Sequence, residues 1–447
     1  MTRRRAVRLG AGLAAAFATF CATGEMVARA TRIVDRLNPF PRRLYVALSI
    51  PDLPYQLRPG VTLDVQGSHV HVNRLGMRDR DDVSQRPRPG IERVLVLGDS
   101  VAFGWLQDVD RAFPRQLEAR LPGAEVLNAG VPGYNAVTEA AWFREFGVGL
   151  APATVVVAVN LNDYDTAPHL NGLGILSTAD DRVSPLSPAN WSELYLALRW
   201  AGLALRADPR LRLSRSAVPR PPGEWDPFDR YVSALRKAFY RAPTEPQWGD
   251  LRRAWADIGA RARAHGTRSL FVIFPDGDQL GAAEPDLTPQ RRLAEVCAAE
   301  HLECLDLYPA FAPDPAGAAL YTDIMHPSDA GHALAATTVA AYLKRERTAA
   351  RTVPPLAGSP SFPTSRGASP GTWPRTCAPS RSDVRPRHRR SCPATDRSDG
   401  VHSENSMPAR SIAALSASYL APHFRSMTTK RAPLLSTSSR KRGGSRM

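Results

Sequence analysis

The stretch Arg93-Val94-Leu95-Val96-Leu97-Gly98-Asp99-Ser100 limits what this 447-residue chain can fold into more than any other. Four consecutive aliphatics leave no polar face, so a strand made of them must be covered on both sides, the setting of a central parallel strand. Gly-Asp-Ser follows without a spacer and puts a sharp turn and a hydroxyl at the strand's carboxyl end. Open α/β sheets gather their ligands at that end. Ser100 is therefore a candidate nucleophile. It would need a base, a group that orients the base, and donors for an oxyanion.

Beyond residue 91 apolar runs alternate with amphipathic stretches, the rhythm of a parallel sheet with helical crossovers. The pattern predicts strands at 94–97, 126–127, 154–159, 269–274 and 303–307, and helices near 113–121, 136–146, 251–265, 290–300 and 330–343. The expected fold class is α/β, a three-layer α/β/α sandwich around a five-stranded, mainly parallel sheet spanning residues 91–344. Residues 164–250 interrupt the rhythm. There Trp191, Leu194, Tyr195, Leu198 and Leu205 mark one amphipathic helix and 228–240 a second. This helical insertion follows a strand's carboxyl end, so it is expected to overhang the site as a lid or substrate wall. Residues 31–90 read as a β-rich preface and linker. Val61, Leu63 and Val65, then Val70 and Val72, alternate around the turn Gln66-Gly67-Ser68, which predicts a hairpin. The segment 73–79 is expected to pack beside the first strand.

At the amino end Arg3, Arg4, Arg5 and Arg8 precede an uncharged, Ala-rich run from Leu9 to Gly24. A basic start followed by such a run reads as an export signal over residues 1–30. Ala22-Thr23-Gly24 and Ala28-Arg29-Ala30 offer small residues for cleavage; the alternative is an uncleaved membrane anchor, although the run is short for a span of roughly 20 residues. Either way the expected location is extracytoplasmic or periplasmic, and the anchor reading adds association with the inner membrane through the N-terminus. The net charge of +15 belongs mostly to the other end: residues 345–447 hold 19 Lys and Arg against 5 Asp and Glu, the rest 39 against 38. A near-neutral body argues against nucleic acid as a partner. The tail, rich in Pro, Ser, Arg, Thr and Gly, is expected to be disordered. Five cysteines show no metal-ligand spacing. Cys297 and Cys304 either form a disulfide in an oxidising compartment or pack as two small buried side chains, and the second reading is preferred.

The base candidate is His326, three residues after Asp323 and just before the last helix, with Pro327-Ser328 suiting a helix start. In a tight turn Asp323 can accept from Nδ1–H of His326 and turn Nε2 toward the serine. For the oxyanion, the backbone N–H of Ser100 is one donor. Asn128-Ala129-Gly130-Val131-Pro132-Gly133-Tyr134 supplies a second, and Asn162, at the end of the third strand, a third.

These blocks, in this order and at these strand ends, resemble the SGNH (GDSL-type) hydrolases over roughly residues 92–163 and 250–344. The resemblance implies an SGNH/flavodoxin-like sandwich with Ser100 as nucleophile, His326 as base and Asp323 as orienting acid. It also implies an oxyanion hole of Ser100, Gly133 and Asn162, with Gly130 shaping the loop. The sequence departs from the family at Asn160, where the third block carries glycine. No metal site, phosphate-binding loop or dinucleotide fingerprint is present, and the chemistry implied needs no cofactor or metal. The expected activity is hydrolysis of an ester, either a carbohydrate O-acetyl or a small lipid ester, through an acyl-enzyme. The substrate partner would be a small molecule or a glycan ester. An O-acyltransferase using the same residues on a glycan, and a non-catalytic glycan-binding module of the same fold, are the alternatives.

Overall fold

The computed structural model describes residues 3–352 apart from 38–39, 66–67, 81–82, 167, 178–186, 207–224 and 226. Two helices lead the chain, α1 (Arg3–Thr31) and α2 (Ile33–Leu37). Two antiparallel hairpins follow, β1 (Tyr45–Ile50) with β2 (Leu53–Leu57) and β3 (Thr62–Val65) with β4 (Ser68–His71). The main body then runs β5 (Glu92–Gly98), α3 (Ser100–Phe103), α4 (Phe113–Arg120), β6 (Ala124–Asn128), α5 (Ala136–Trp142) and β7 (Thr154–Val159). Next come a small strand pair, β8 (His169–Leu170) and β9 (Leu176–Ser177), and helices α6 (Glu193–Arg206), α7 (Pro227–Arg241) and α8 (Gln247–Ala264). The chain closes with β10 (Arg268–Ile273), α9 (Thr288–Ala299), β11 (Glu303–Asp306), α10 (Tyr308–Phe311) and α11 (Asp329–Thr352).

The central sheet has the order β11-β10-β7-β5-β6, and every pairing in it is parallel. All six residues of β7, and Arg93 to Gly98 of β5, are buried. Their side chains divide by parity, as the period of two demands. Leu95, Leu97, Val155, Val157, Phe271 and Ile273 pack with Trp142 of α5, Trp255 of α8 and Leu293 of α9 on one face. Val94, Val96, Val156, Ala158, Leu270 and Val272 pack with Phe113 and Leu117 of α4, Phe311 of α10 and Val339 of α11 on the other. The result is the three-layer α/β/α sandwich. Each fully buried aliphatic contributes about 1.5–3 kcal/mol, so these two faces dominate the stability of the body.

Arg93 is also fully buried, at the entry to β5. Its guanidinium meets Glu125 at 2.8 Å and donates to the carbonyls of Ser84, Gln85 and Leu150. The linker before β5 is thereby fastened to the base of the sheet.

Three differences from the sequence reading are structural. The β1–β2 hairpin and the β8–β9 pair were not predicted. The insertion sends its helices to different places: α7 approaches the carboxyl-end rim, whereas α6 packs against α1 and α2. Finally, Cys297 and Cys304 are joined as a disulfide with Cα atoms 6.2 Å apart, which overturns the preferred reading of two independent buried side chains. The expectation for the tail beyond Thr352 falls outside the described residues.

Candidate active site

The turn after β5 is tight enough to exclude any side chain at its first position. Gly98 has φ +149°, and a Cβ there would lie 2.6 Å from Ala102 Cβ and 2.9 Å from the Ala158 carbonyl oxygen. Asp99 caps α3: its Oδ1 accepts from the Val101 N–H at 2.8 Å. α3 is only four residues long, and isolated helices of that length do not persist. Side chains from elsewhere hold it. Arg78, 1% exposed, donates to the carbonyls of Phe103, Gly104 and Gln107, and its guanidinium lies over the Phe103 ring. Asn128 of β6 donates to the Phe103 carbonyl as well. The 73–79 segment thus has a definite task that sequence reading missed: it carries the arginine that fixes the chain just after Ser100.

Ser100, at the first turn of α3, is 7% exposed. His326 Nε2 lies 2.9 Å from its Oγ, and the other ring nitrogen is 2.9 and 2.8 Å from Asp323 Oδ1 and Oδ2. Asp323 also accepts from the backbone N–H groups of Met325 and His326, which closes the turn 323–326 into a compact loop. That loop is pinned by the bond from Thr322 N to the His326 carbonyl and by the short bridge between Tyr321 and Pro327. Residues 226 positions apart in sequence are brought together in this way.

The charges of the pair set each other's ionisation. Burial pushes the His326 imidazole down, but the Asp323 carboxylate and its hydrogen bond outweigh that and hold it above the ordinary histidine value. Burial likewise opposes ionisation of Asp323; the facing imidazole and the bonds from His326 and Met325 win and keep the carboxyl well below the usual range. His332, one turn into α11, contrasts with His326. Burial, with the charges of His326 and Arg78, lowers it to about 3, and its Nδ1 accepts from Phe113 N–H. His332 is a neutral packing residue.

Gly133 and Asn162 sit in the loops leaving β6 and β7, the two strands that flank β5. Gly133 has φ +86°, and a Cβ there would meet the Tyr55 hydroxyl at 2.8 Å and Pro168 Cγ at 3.0 Å. Gly130 is closed in more severely, since a Cβ would lie 2.3 Å from the Phe103 nitrogen, and its N–H is taken by Asn128 Oδ1. Among the described residues no hydrogen bond joins Gly133 or the Asn162 side chain to Ser100, and Asn162 Oδ1 is buried without a partner. The two share with Ser100 only a position past the carboxyl ends of adjacent strands.

Asn160 has its own partner. Its Nδ2 donates to Asp99 Oδ2 at 3.0 Å, and both residues are buried. Beneath the rim lie further buried acids. Burial, with the charge of Asp99, drives Glu139 far above the ordinary carboxylate range; burial, with the charges of Glu139 and Asp99, does the same to Asp163, and neither carboxyl has a hydrogen-bond partner among the described residues. Burial lifts Asp165 to about 6 against the pull of Arg236.

The insertion supplies a second buried ion pair, also missed from sequence. Arg236 of α7 meets Asp276 at 3.2 Å, and its Nη2 lies 3.4 Å from Met325 Sδ, beside His326. Lys237 and Ser233 both bond Asp278. Gly277, between those acids, donates its N–H to the Ile324 carbonyl at 2.7 Å. No group of three or more His, Cys, Asp or Glu among the described residues is arranged to hold a metal ion.

Comparison with known proteins places this geometry in context. The model of the GDSL-like lipase/acylhydrolase family matches residues 96–334, more than half of the chain. A comparison with curated proteins returns no match. Among solved structures, a lipase/acylhydrolase from Enterococcus faecalis is 17% identical and covers 57% of this chain and 97% of its own, with a TM-score of 0.32. A GDSL-like lipase from Bacteroides thetaiotaomicron is 14% identical over 59% of this chain and 93% of its own, TM-score 0.32. A protein described as TesA is 16% identical over 57% and 99%, TM-score 0.33. With the family model spanning the strand of Ser100 through the first turns of α11, the chain belongs to the GDSL-like lipase/acylhydrolase family, the SGNH hydrolases, and is a hydrolase acting on ester bonds.

Proposed function

We propose that the chain is a serine esterase working through an acyl-enzyme, with a carbohydrate O-acetyl ester or a small lipid ester as substrate. Ser100 is the nucleophile, His326 the general base and acid, and Asp323 the residue that orients it. The observation that carries this reading is the unbroken line from Asp323 through His326 Nδ1 and Nε2 to Ser100 Oγ, each link under 3.0 Å. As Oγ attacks the ester carbonyl, its proton passes to Nε2, and the carbonyl oxygen takes the negative charge. The N–H groups of Ser100 and Gly133 and the amide of Asn162 receive that oxyanion. Collapse breaks the bond to the alkoxy group, which leaves with the proton from Nε2. Water then repeats the sequence on the acyl-serine, releasing the acid and restoring Ser100.

An extracytoplasmic location is part of the same proposal. It is supported by the basic start and apolar run carried on α1, and by the Cys297–Cys304 disulfide, which forms in oxidising compartments. The decisive experiment is Ser100→Ala, assayed on p-nitrophenyl acetate. Turnover is expected to vanish with an unchanged circular dichroism spectrum, and acid-quenched wild type is expected to carry acetyl on the Ser100 peptide. Undiminished turnover in the variant refutes the assignment.

A further inference from the structure

The last turns of α1 are built into the folded body. The Glu25 carboxylate accepts from the backbone N–H groups of Glu193 and Leu194, each at 3.1 Å, and from Ser192 Oγ at 2.8 Å. A side chain of α1 thus fills the N-cap of α6, placing negative charge where a helix leaves its first donors unsatisfied. One turn later Arg29 pairs with Glu25 and donates to the Trp191 carbonyl at 2.8 Å. Gly24 abuts the same helix start, where a Cβ would lie 2.8 Å from Leu194 Cδ2. Behind these contacts Val34 of α2 packs with Ile175, Ala189 and Leu196, and Arg42 bridges Asp35 and Glu193.

The outer side of this joint is apolar. Tyr195 and Leu198, 39% and 57% exposed, lie three apart on the side of α6 away from buried Leu196, and Trp191, 56% exposed, stands two residues ahead of that helix. Met26 and Val27 continue that surface onto α1, followed by Phe20, Phe17, Leu13 and Leu9. Among the described residues, Leu75 is the single exposed large apolar side chain that lies elsewhere. An apolar surface so concentrated marks an interaction site. Two features identify its partner as lipid. It is continuous with Val7–Thr31, a 25-residue helix long and apolar enough to cross a bilayer. It is also bordered by exposed Arg29, Arg32 and Arg43, and aromatic side chains with arginines are the composition of the headgroup layer.

We propose that α1 is retained as a membrane anchor and that the Glu25 cap lays Trp191 and the Tyr195–Leu198 side of α6 on the bilayer surface. Cleavage after Ala30 would remove Glu25, Ala28 and Arg29 from the joint. Cleavage after Gly24 would leave the capping residue as the frayed first residue of a helix. The proposal rests on the chain being exported and is independent of which residue is the nucleophile.

The test uses the full chain and does not read esterase turnover. Terminal peptide mapping of the membrane fraction is expected to recover residues before Gly24 in protein that resists alkaline carbonate; a mature chain beginning at Glu25 or Thr31 overturns the anchor. For the surface, Cys21, Cys377 and Cys392 are changed to Ser, and a nitroxide is attached at Leu198→Cys in vesicles of three parts phosphatidylethanolamine to one part phosphatidylglycerol. Oxygen is expected to reach the label severalfold better, relative to a water-soluble nickel chelate, than it reaches the same label at exposed Arg253→Cys. Glu25→Ala is expected to remove that difference. Equal accessibility at the two sites overturns the proposal, as does spin–spin broadening at 198, which would mean that a second copy covers the patch.

Discussion

Replacing Asn160 by glycine restores the residue the family carries at this position, yet here it is predicted to do harm. Asn160 Nδ2 donates to Asp99 Oδ2 at 3.0 Å, and Asp99 is 1% exposed. Without that donor, the remaining polar group near Oδ2 is Ser100 Oγ at 3.4 Å. A hydrogen bond to a charged group contributes about 1.5–3 kcal/mol, and at roughly 2 °C per kcal/mol for a body of this size the melting temperature should fall by about 3–6 °C. Burial already raises Asp99, opposed by its bonds to Val101 N–H and Asn160 and by the charges of His326 and Arg236. Losing Asn160 raises it further. The sign follows: a carboxyl raised by folding is neutral in both states below the unfolded value, and the added penalty appears as pH climbs toward the folded value. The loss should therefore be larger at pH 8 than at pH 4. The same change frees Asp99 to draw the Ser100 hydroxyl away from Nε2, so kcat on p-nitrophenyl acetate should drop more than KM changes. Thermal melts at both pH values and steady-state kinetics measure all of this. A variant as stable and as active as the parent at pH 8 would refute the idea that Asn160 supports Ser100 through Asp99.

Two further predictions follow from the ionisable groups. Because Asp323 holds His326 above its ordinary value of about 6.5, activity should be lost as the pH falls through a midpoint above that value. In Asp323→Asn the midpoint should move below it, since burial, the largest cause, is then opposed only by the charge of Asp99, with kcat reduced by about 10⁴-fold as in other serine triads. A pH–rate profile decides, and coincident acid limbs in the two proteins would contradict the assignment. Glu139, buried and without a hydrogen-bond partner among the described residues, is held neutral by the fold. Its stabilising state is complete below the unfolded carboxylate value and is lost as pH rises toward the folded one. Glu139→Gln should accordingly melt higher than the parent at pH 8, by a few degrees for a gain of about 1 kcal/mol, and close to it at pH 4; a lower melting temperature at pH 8 would mean that the carboxylate is charged and paired.

The legible parts of the fold share one physical property. β5 and β7 are covered on both faces, so their burial appears in the sequence as an unbroken apolar run. The β1–β2 hairpin is covered on one side and interrupted by Pro54, a residue that argues against a strand unless the strand lies at an edge, as β2 does in its two-stranded sheet. Cys297 and Cys304 show their sequence separation of 7, but the distance between them depends on how the end of α9 turns into β11. Arg78 defeats sequence reading for a different reason. Arginine is expected at the surface, and only the carbonyls of Phe103, Gly104 and Gln107 explain its burial. The departure at Asn160 is visible in sequence, whereas its acceptor, Asp99, is 61 residues away.

Ser100, Asp323 and His326 could be nominated from strand ends and a helix start, but the 2.9 Å between Oγ and Nε2 is set by residues that belong to no motif. A four-residue helix cannot hold its own serine in place. Arg78 from the preface, Asn128 from β6 and Asn160, just past β7, meet at it from three directions. The histidine loop is held from the opposite side: Arg236 binds Asp276 and touches Met325, and Gly277 donates to Ile324. The preface and the insertion, which look like additions to a minimal sandwich, thus each secure one partner of the Ser100–His326 bond. Arg78→Ala and Arg236→Ala are each expected to lower kcat while leaving the apolar packing of the sheet in place, since neither side chain is part of it, whereas Tyr55 and Met77 of the preface and Tyr240 of the insertion share the core of one face.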